Sequence, residues 1–215
     1  MKNISPKSAL VSLSDKTNLD LFVSFLLERN VEVISTGGTY KAIKKITNNV
    51  MEVSEYTGHK EMMGGRVKTL HPKIHAGILA RRGEDTDILK SMDYKEIDIV
   101  VVNLYPFEET INSGCSFEEA IEQIDIGGPT MIRAAAKNFK DVLVLSEPND
   151  YEEMISEWDS KNGISYEFRK KQATKVFKKM SRYNRAIHQY MDSENDENIV
   201  LLFDGGFLHI LKLLD

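Results

Sequence analysis

Short apolar runs alternate with segments of helical periodicity along the first part of the chain. The run Ala9 to Asp15 is typical of a buried strand whose last residues enter a helix N-terminus, and apolar residues then recur at helical spacing from Leu19 to about Arg29. A second run, Val31 to Ser35, precedes a helical segment that ends near Lys45. Because strands that alternate with helices pair in parallel, the pattern predicts an α/β fold, a parallel sheet flanked by helices.

The later part of the chain continues this alternation. Ile97 to Asn103 is β-branched and almost continuously apolar, as a central parallel strand buried on both faces should be. No amphipathic period runs from Gly64 to Gly77, so the sequence predicts a loop there, with a strand beginning at Ile78–Ala80. The remaining predicted elements are two short strands, Val50–Val53 and Asp141–Leu145, and three helices, Phe117–Gln123, Thr130–Asn138 and Pro148–Trp158.

A long helix is predicted from Tyr166 to Met191. Its apolar residues step by four and three, which is the spacing of a helix lying against another helix. They are Val176, Met180, Tyr183, Ile187 and Tyr190. This seam could cover the domain's own sheet or contact a second copy of the chain, and its narrow width does not decide between them. We therefore predict one domain over residues 1–191, followed at 192–215 by an acidic linker and an apolar tail.

Composition narrows the class of protein. The 215 residues carry a formal net charge of −5, whereas a nucleic-acid-binding protein usually has a basic footprint. Cys115 is the only cysteine, so an internal disulfide is impossible and a reducing compartment is favoured. We see neither a signal peptide nor an apolar run of the ~20 residues that a membrane span needs. The sequence predicts a cytoplasmic protein that binds neither nucleic acid nor membrane.

Candidate phosphate-binding groups follow two of the predicted strands. Ser12 and Ser14 end the first strand, and the stretch Thr36 to Thr39 links the second strand to a helix N-terminus. Arg66 and Lys68 could close over the same point, since a phosphate dianion binds backbone N–H groups, hydroxyls and cations. The adjacent Gly37 and Gly38 fit neither the Walker loop nor the dinucleotide fingerprint. A purely structural turn therefore stays open at this point.

Candidate acid–base residues lie in predicted loops or at helix ends. They are Lys68, Tyr105, Asp125 and Lys137. A lysine beside another cation can have its pKa lowered into a useful range, and a carboxylate could orient it. His71 and His75 have the spacing of a helical metal pair. Because Pro72 lies between them and no third ligand is evident, we predict no metal site.

Several motifs, taken in order, resemble one family. They are Ser12–Thr17, Ser35–Thr39, Gly65–Pro72, Asn103–Phe107, Gln123–Gly128 and Arg133–Asn138. Their order and spacing are similar to those of the inosine monophosphate cyclohydrolase half of bifunctional purine-biosynthesis proteins. The resemblance covers roughly residues 8 to 190.

The resemblance implies a methylglyoxal-synthase-like fold and closure of 5-formamidoimidazole-4-carboxamide ribotide to inosine monophosphate with loss of water. It implies no cofactor and a homodimer. Its catalytic positions fall on Lys68, Tyr105, Asp125 and Lys137. The substrate-binding set that we expect is Ser12, Ser14, Lys16, Thr36, Gly37, Gly38, Thr39, Arg66, Thr69, Asn103, Ile126 and Gly127.

Two other functions are alternatives to ring closure. Related domains of this fold sense nucleotides without turning them over, although sensing would not require all four acid–base residues. Methylglyoxal synthase itself acts on a triose phosphate, and the motifs around Tyr105 and Asp125 favour a nucleotide instead. The family's larger formyltransferase domain has no counterpart in these residues, so we expect no formyl transfer from this chain.

Overall fold

The computed structural model of the chain describes residues 2–193, 199–204 and 207–212, the last two ranges by their backbone. The chain divides into two compact units. The first comprises residues 1–104 and 126–176, and the second comprises residues 105–125 and 177–215.

A five-stranded parallel sheet forms the centre of the first unit. Its strands are β1 (Ser8–Ser12), β2 (Glu32–Ser35), β3 (Met51–Glu52), β4 (Ile99–Val102) and β5 (Leu143–Leu145). The strand order is β3-β2-β1-β4-β5, so the chain starts in the middle and adds strands on both sides. This topology confirms the predicted α/β fold with a parallel sheet. It also brings the carboxyl ends of β1, β2 and β4 to one edge.

Ten helices are present in the described residues. They are α1 (Leu19–Glu28), α2 (Gly37–Ile46), α3 (Val53–Thr57), α4 (Pro72–Leu79), α5 (Thr86–Ser91), α6 (Phe107–Asn112), α7 (Phe117–Glu122), α8 (Gly127–Lys137), α9 (Asp150–Lys161) and α10 (Tyr166–Ser193). A 3₁₀ turn at Met63–Gly65 precedes α4. Helix α8 begins three residues before the predicted Thr130, and α3, α5 and α6 were not predicted.

The core of the first unit lies on both faces of the sheet. Val11 and Val101 point to one face, where they pack with Phe22 of α1 and Tyr151 of α9. The rings of Phe22 and Tyr151 are stacked with their centroids 4.5 Å apart. The other face carries α8, which packs against β4, β5 and α4. Helices on both faces explain why β4 is buried at every position.

The predicted loop from Gly64 to Gly77 is wrong in its second half, and so is the strand predicted at Ile78–Ala80. Helix α4 spans these residues, with Pro72 at its first turn and Ile74 and Ile78 fully buried. Those two residues are four positions apart, which is a helical spacing. The helix was missed because Pro72 and Gly77, which are uncommon inside helices, lie in the same stretch. The helix fixes the chain directly after Lys68 and Thr69.

A histidine caps this helix. The N–H of Lys73 donates to Nδ1 of His71 at 3.1 Å, and the ring of His59 lies 5.8 Å from that of His71. Burial, together with the nearby His59 and Lys73, lowers the pKa of His71 below its ordinary value. An imidazole can accept at Nδ1 only while that nitrogen is unprotonated. The cap therefore belongs to neutral His71.

We expect the His71 cap to make stability depend on pH. Because the folded state lowers the pKa of His71, the unfolded chain binds the proton more readily, and stability falls as pH drops through about 6.5. The loss should be about 1 kcal/mol, typical of a helix cap. Urea unfolding at pH 8 and pH 5.5 measures it. His71→Asn keeps an acceptor that does not titrate, so an unchanged pH dependence in that variant would contradict the prediction.

In the second unit, the carboxyl-terminal part of α10 packs against α6 and α7. Tyr183 and Tyr190 both contact Phe107 edge-on, with ring centroids 6.3 and 5.7 Å away, and Tyr190 also stacks on Phe117 at 6.0 Å. The chain's own helices therefore cover this part of the predicted seam. The sequence left that choice open.

Beyond α10, the backbone forms an antiparallel pair of strands, β6 (Ile199–Asp204) and β7 (Phe207–Lys212). Residues 194–198, where we predict most of the acidic linker, lie outside the described residues. The domain boundary at residue 191 thus stays a prediction. Within the described ranges, no helix has both the length and the apolar character that crossing a membrane requires.

Candidate active site

The loop that follows β1 is held by the side chain of Asn103 at the end of β4. Asn103 Oδ1 accepts the N–H groups of Ser14 and Asp15 at 2.6 and 3.1 Å, and its Nδ2 donates to the carbonyl of Asp15 at 2.7 Å. The hydroxyl of Ser14 lies 2.8 Å from the same Oδ1. Asn103 is buried, and these bonds commit most of its amide to shaping the loop.

Thr39 ties the same loop to helix α2. Its hydroxyl accepts the N–H of Leu13 at 2.8 Å and donates to the carbonyl of Leu13 at 2.9 Å. The side chain is buried at the first turn of the helix. Of the predicted phosphate-binding set, Thr39 therefore acts through the loop, and its hydroxyl is occupied by the backbone.

Two lysine ammonium groups reach the N-terminus of α2. A β-carbon placed on Gly37 would lie 3.2 Å from Nζ of Lys68, and one on Gly38 would lie 3.9 Å from Nζ of Lys16. Thr36 precedes the helix in extended conformation and makes no side-chain cap. The first N–H groups of a helix have no partner within it. Uncapped N–H groups beside two cations are suited to binding an anion. We call this place, formed by Gly37, Gly38, Lys16 and Lys68, the anion corner.

The hydroxyl of Thr69 lies at the start of helix α8. A β-carbon on Gly127, the first residue of α8, would be only 2.8 Å from Oγ1 of Thr69. Any side chain at Gly127 would displace the Thr69 hydroxyl, which is itself buried. The predicted residues Thr69 and Gly127, fifty-eight positions apart, thus meet in the first unit.

Lys137 is the last residue of α8 and is exposed to solvent, while the preceding Ala134, Ala135 and Ala136 are buried. The adjacent Asn138 fixes this end of the helix. Its Nδ2 donates to the carbonyls of Ile78 and Ala80 at 2.8 and 3.0 Å, at the end of α4.

Tyr105 and Asp125 belong to the second unit. Tyr105 is 54% exposed, and Asp125 is partly buried. The N–H of Asp125 donates to the hydroxyl of Tyr183 on α10 at 2.8 Å. Burial raises the pKa of Tyr183, which keeps that phenol neutral at physiological pH. The backbone of Asp125 is therefore anchored to the long helix.

The remaining predicted residues differ in exposure. Ser12 is partly buried and Thr36 is buried, whereas Arg66 and Ile126 are exposed. Within the residues that the structure describes, no group of three or more His, Cys, Asp or Glu side chains is arranged to hold a metal ion. His71 caps α4, and Nδ1 of His75 lies 3.3 Å from the carbonyl of His71.

Comparison with known families places this fold. The model of the MGS-like domain matches residues 18–130. The chain belongs to the MGS-like domain family. A second model, described as the AICARFT/IMPCHase bienzyme, matches residues 135–207 and so extends past the MGS-like domain into the strand pair. Together the two matches include every residue of the anion corner except Lys16.

Individual relatives agree with this assignment. The chain is 52% identical over 189 residues to the bifunctional purine biosynthesis protein PurH of Clostridium kluyveri, which covers 87% of this chain and 38% of that protein. The identity to the PurH protein of Fusobacterium nucleatum is 51% over 191 residues, covering 88% and 38%. The chain thus spans less than half the length of these relatives.

A solved structure, that of ForH, is also similar to this MGS-like protein. It superposes with a TM-score of 0.73 at 32% identity, covering 85% of this chain and 97% of that one. The resemblance predicted from the motifs and the α/β fold class are both confirmed.

Sequence reasoning missed one charged residue at this site. Glu61 forms an ion pair with Lys68, with Oε2 and Nζ 2.5 Å apart. Glu61 lies outside both the predicted loop, which begins at Gly64, and the motif Gly65–Pro72. The pair of glycines at 64 and 65 was the available signal, since a tight turn there brings the residues on its two sides together.

Proposed function

We propose that this chain is an inosine monophosphate cyclohydrolase, which closes the ring of 5-formamidoimidazole-4-carboxamide ribotide. The observation that carries the proposal is the position of Lys68, whose ammonium reaches the N-terminus of α2 at Gly37. A second support is sequence similarity, since the chain is 52% and 51% identical to two proteins named bifunctional purine biosynthesis protein. The chain spans 38% of their length, and ring closure is the one activity that we assign to it.

The anion corner would bind the substrate's phosphate. Backbone N–H groups at Gly37 and Gly38, with the ammonium groups of Lys16 and Lys68, supply donors and positive charge. Thr69 adds a hydroxyl near the start of α8. A phosphate fixed there leaves the base to extend along the carboxyl edge of the sheet, where ligands of open parallel sheets bind.

Ring closure needs both a base and a donor. The carboxamide nitrogen attacks the formyl carbon, which forms the new C–N bond and puts negative charge on the formyl oxygen. That oxygen takes one proton that leaves the carboxamide nitrogen and one that leaves the formamido nitrogen, and it departs as water. Since both reacting groups belong to one molecule, binding it in a folded conformer contributes much of the acceleration.

We assign Lys68 and Tyr105 to the formyl oxygen, and Asp125 and Lys137 to the carboxamide. The role of Lys68 at the formyl oxygen rests on the resemblance of its motif, since its place at the α2 N-terminus supports contact with the phosphate. Support for Lys137 comes from an exposed position on a helix end that Asn138 anchors. The roles of Tyr105 and Asp125, and those of Asn103 and Ile126 toward the base, rest on the resemblance of their motifs.

The direct test is turnover. The purified chain, mixed with the formamido ribotide and no folate, should form inosine monophosphate, which is followed by its ultraviolet absorbance. The matched control is the same ribotide without its formyl group, which should give no change because it lacks the carbon that closes the ring. Nucleotide binding without turnover would contradict the proposal and favour a sensing module.

We also propose a homodimer and a cytoplasmic location. Both rest on the resemblance to the purine-biosynthesis family, and the second is also supported by the single cysteine.

A further inference from the structure

A short hairpin brings a carboxylate onto Lys68. Met62 and Val67 pair across it, with the N–H of Met62 donating to the carbonyl of Val67 at 3.0 Å. Gly64 and Gly65 turn the chain with positive φ angles of 64° and 95°. Glu61 and Lys68 are the next residues outward on the two sides, so the register of the hairpin places them opposite each other.

The carboxylate of Glu61 lies among cations. Its Oε2 contacts Nζ of Lys68, and a β-carbon on Gly65 would lie within 3.9 Å of that oxygen. Hydrogen bonding from Lys68, with a smaller contribution from the charge of Lys41 on α2, lowers the pKa of Glu61. Glu61 is therefore ionised at neutral pH. Its side chain is 58% exposed, so solvent can replace the contact when Lys68 takes another partner.

These contacts put a negative group on the same ammonium that reaches the N-terminus of α2. We propose that Glu61 is an internal competitor for the anion corner. Its carboxylate pairs with Lys68 in the free protein, and a phosphate ligand must displace it. The inference rests on the proposed function, since it assumes that the anion corner binds the substrate's phosphate. Glu61 thereby sets how strongly a ligand's anionic group must bind before Lys68 is released to it.

The size of the effect follows from the exposure of the pair. Ion pairs at protein surfaces have equilibrium constants for closure of about 1.5–5 in water. The apparent dissociation constant of a ligand that needs the open state is raised by one plus that constant. Removing the Glu61 charge should therefore tighten binding about 2- to 6-fold. A ligand that does not use Lys68 should gain nothing.

The experiment measures binding by isothermal calorimetry on the full chain at low ionic strength. Glu61→Gln is compared with the wild type for inosine monophosphate, inorganic phosphate and the uncharged nucleoside inosine. Glu84→Gln is the matched control, because Glu84 pairs with Arg81 at 2.7 Å and its side chain is 60% exposed. It removes the same charge from a similar surface pair. A third variant, Lys68→Met, is tested alone and together with Glu61→Gln.

We expect Glu61→Gln to bind both phosphate ligands about 2- to 6-fold more tightly than Glu84→Gln, with no change for inosine. The gain should shrink as salt is added and vanish in the Lys68→Met background. Equal or weaker binding by Glu61→Gln would overturn the inference, and weaker binding would mean that Glu61 holds Lys68 in place for the ligand. If the wild type binds phosphate but not the nucleotide, the proposed function fails while the Glu61 comparison can still be made. Binding of neither ligand would overturn both.

Discussion

Replacing Arg169 by methionine is expected to lower the free energy of unfolding by about 3–5 kcal/mol, because several carbonyls lose a buried donor. Arg169 on α10 is 1% exposed. Its guanidinium donates to the carbonyls of Phe139 at 3.0 Å, Lys140 at 2.8 Å and Lys2 at 3.3 Å, and also to the carbonyl of Ile164. Three chain segments, at residues 2, 139–140 and 164, are thus bonded to one side chain.

The expected loss is large because methionine would leave these carbonyls without donors. An unsatisfied buried polar group costs about 1–3 kcal/mol, and part of each penalty can be recovered if water enters. Ile164 would keep its pairing with Ile4, whose N–H donates to its carbonyl at 3.0 Å. Phe139 and Lys140 would lose the contacts that secure the chain after α8.

Urea unfolding followed by circular dichroism measures this effect. Arg81→Met is the matched control, since Arg81 is an exposed arginine whose ion pairs with Glu84 and Asp85 lie at the surface. That control should cost no more than about 1 kcal/mol. Arg169→Lys should fall between the two because one ammonium cannot reach all four carbonyls. A loss below 1 kcal/mol for Arg169→Met would show that the guanidinium is not a main anchor of the fold.

Much of the sheet could be predicted from the sequence because its strands are mostly apolar and β4 is apolar at every position. The runs Ala9 to Asp15, Val31 to Ser35 and Ile97 to Asn103 became β1, β2 and β4 with shifts of one to three residues at most of their ends. Burial on both faces removes the polar positions that blur strand patterns. Helix α4 could not be predicted in this way, since its start is set by a His71 cap and Pro72 and not by a repeating apolar face.

The candidate site residues that could be chosen from the sequence are those that lie in contiguous motifs. Lys68, Thr69 and Gly127 were chosen from such motifs, and in the structure Lys68 reaches Gly37 while Thr69 meets Gly127. Their detailed roles depend on contacts between distant residues. Arg169, which bonds Lys2 across 167 positions, leaves no local pattern. Asn103 likewise gave no sign that its amide would be used to hold the loop at Ser14.

Lys68→Met is the substitution expected to reduce turnover most. Methionine keeps the approximate length of the side chain but removes the ammonium at the α2 N-terminus. Loss of a positioned proton donor or charge at a reacting oxygen costs about 10²–10³-fold in kcat. We expect that loss for ring closure, measured by steady-state kinetics with the formamido ribotide. The matched control is Lys44→Met, which changes an exposed lysine on α2 whose Nζ donates to the carbonyl of Asn48 at 3.4 Å.

The division between kcat and KM decides what Lys68 does. Its ammonium lies at Gly37, in the corner proposed for the phosphate, whereas the resemblance assigns it to the formyl oxygen. A group that only binds the phosphate contributes equally to the ground state and the transition state, so its removal raises KM and leaves kcat unchanged. A group that serves the formyl oxygen lowers kcat when it is removed. A KM increase with kcat within about threefold of the wild type would therefore contradict the catalytic assignment and make Lys68 a phosphate ligand alone.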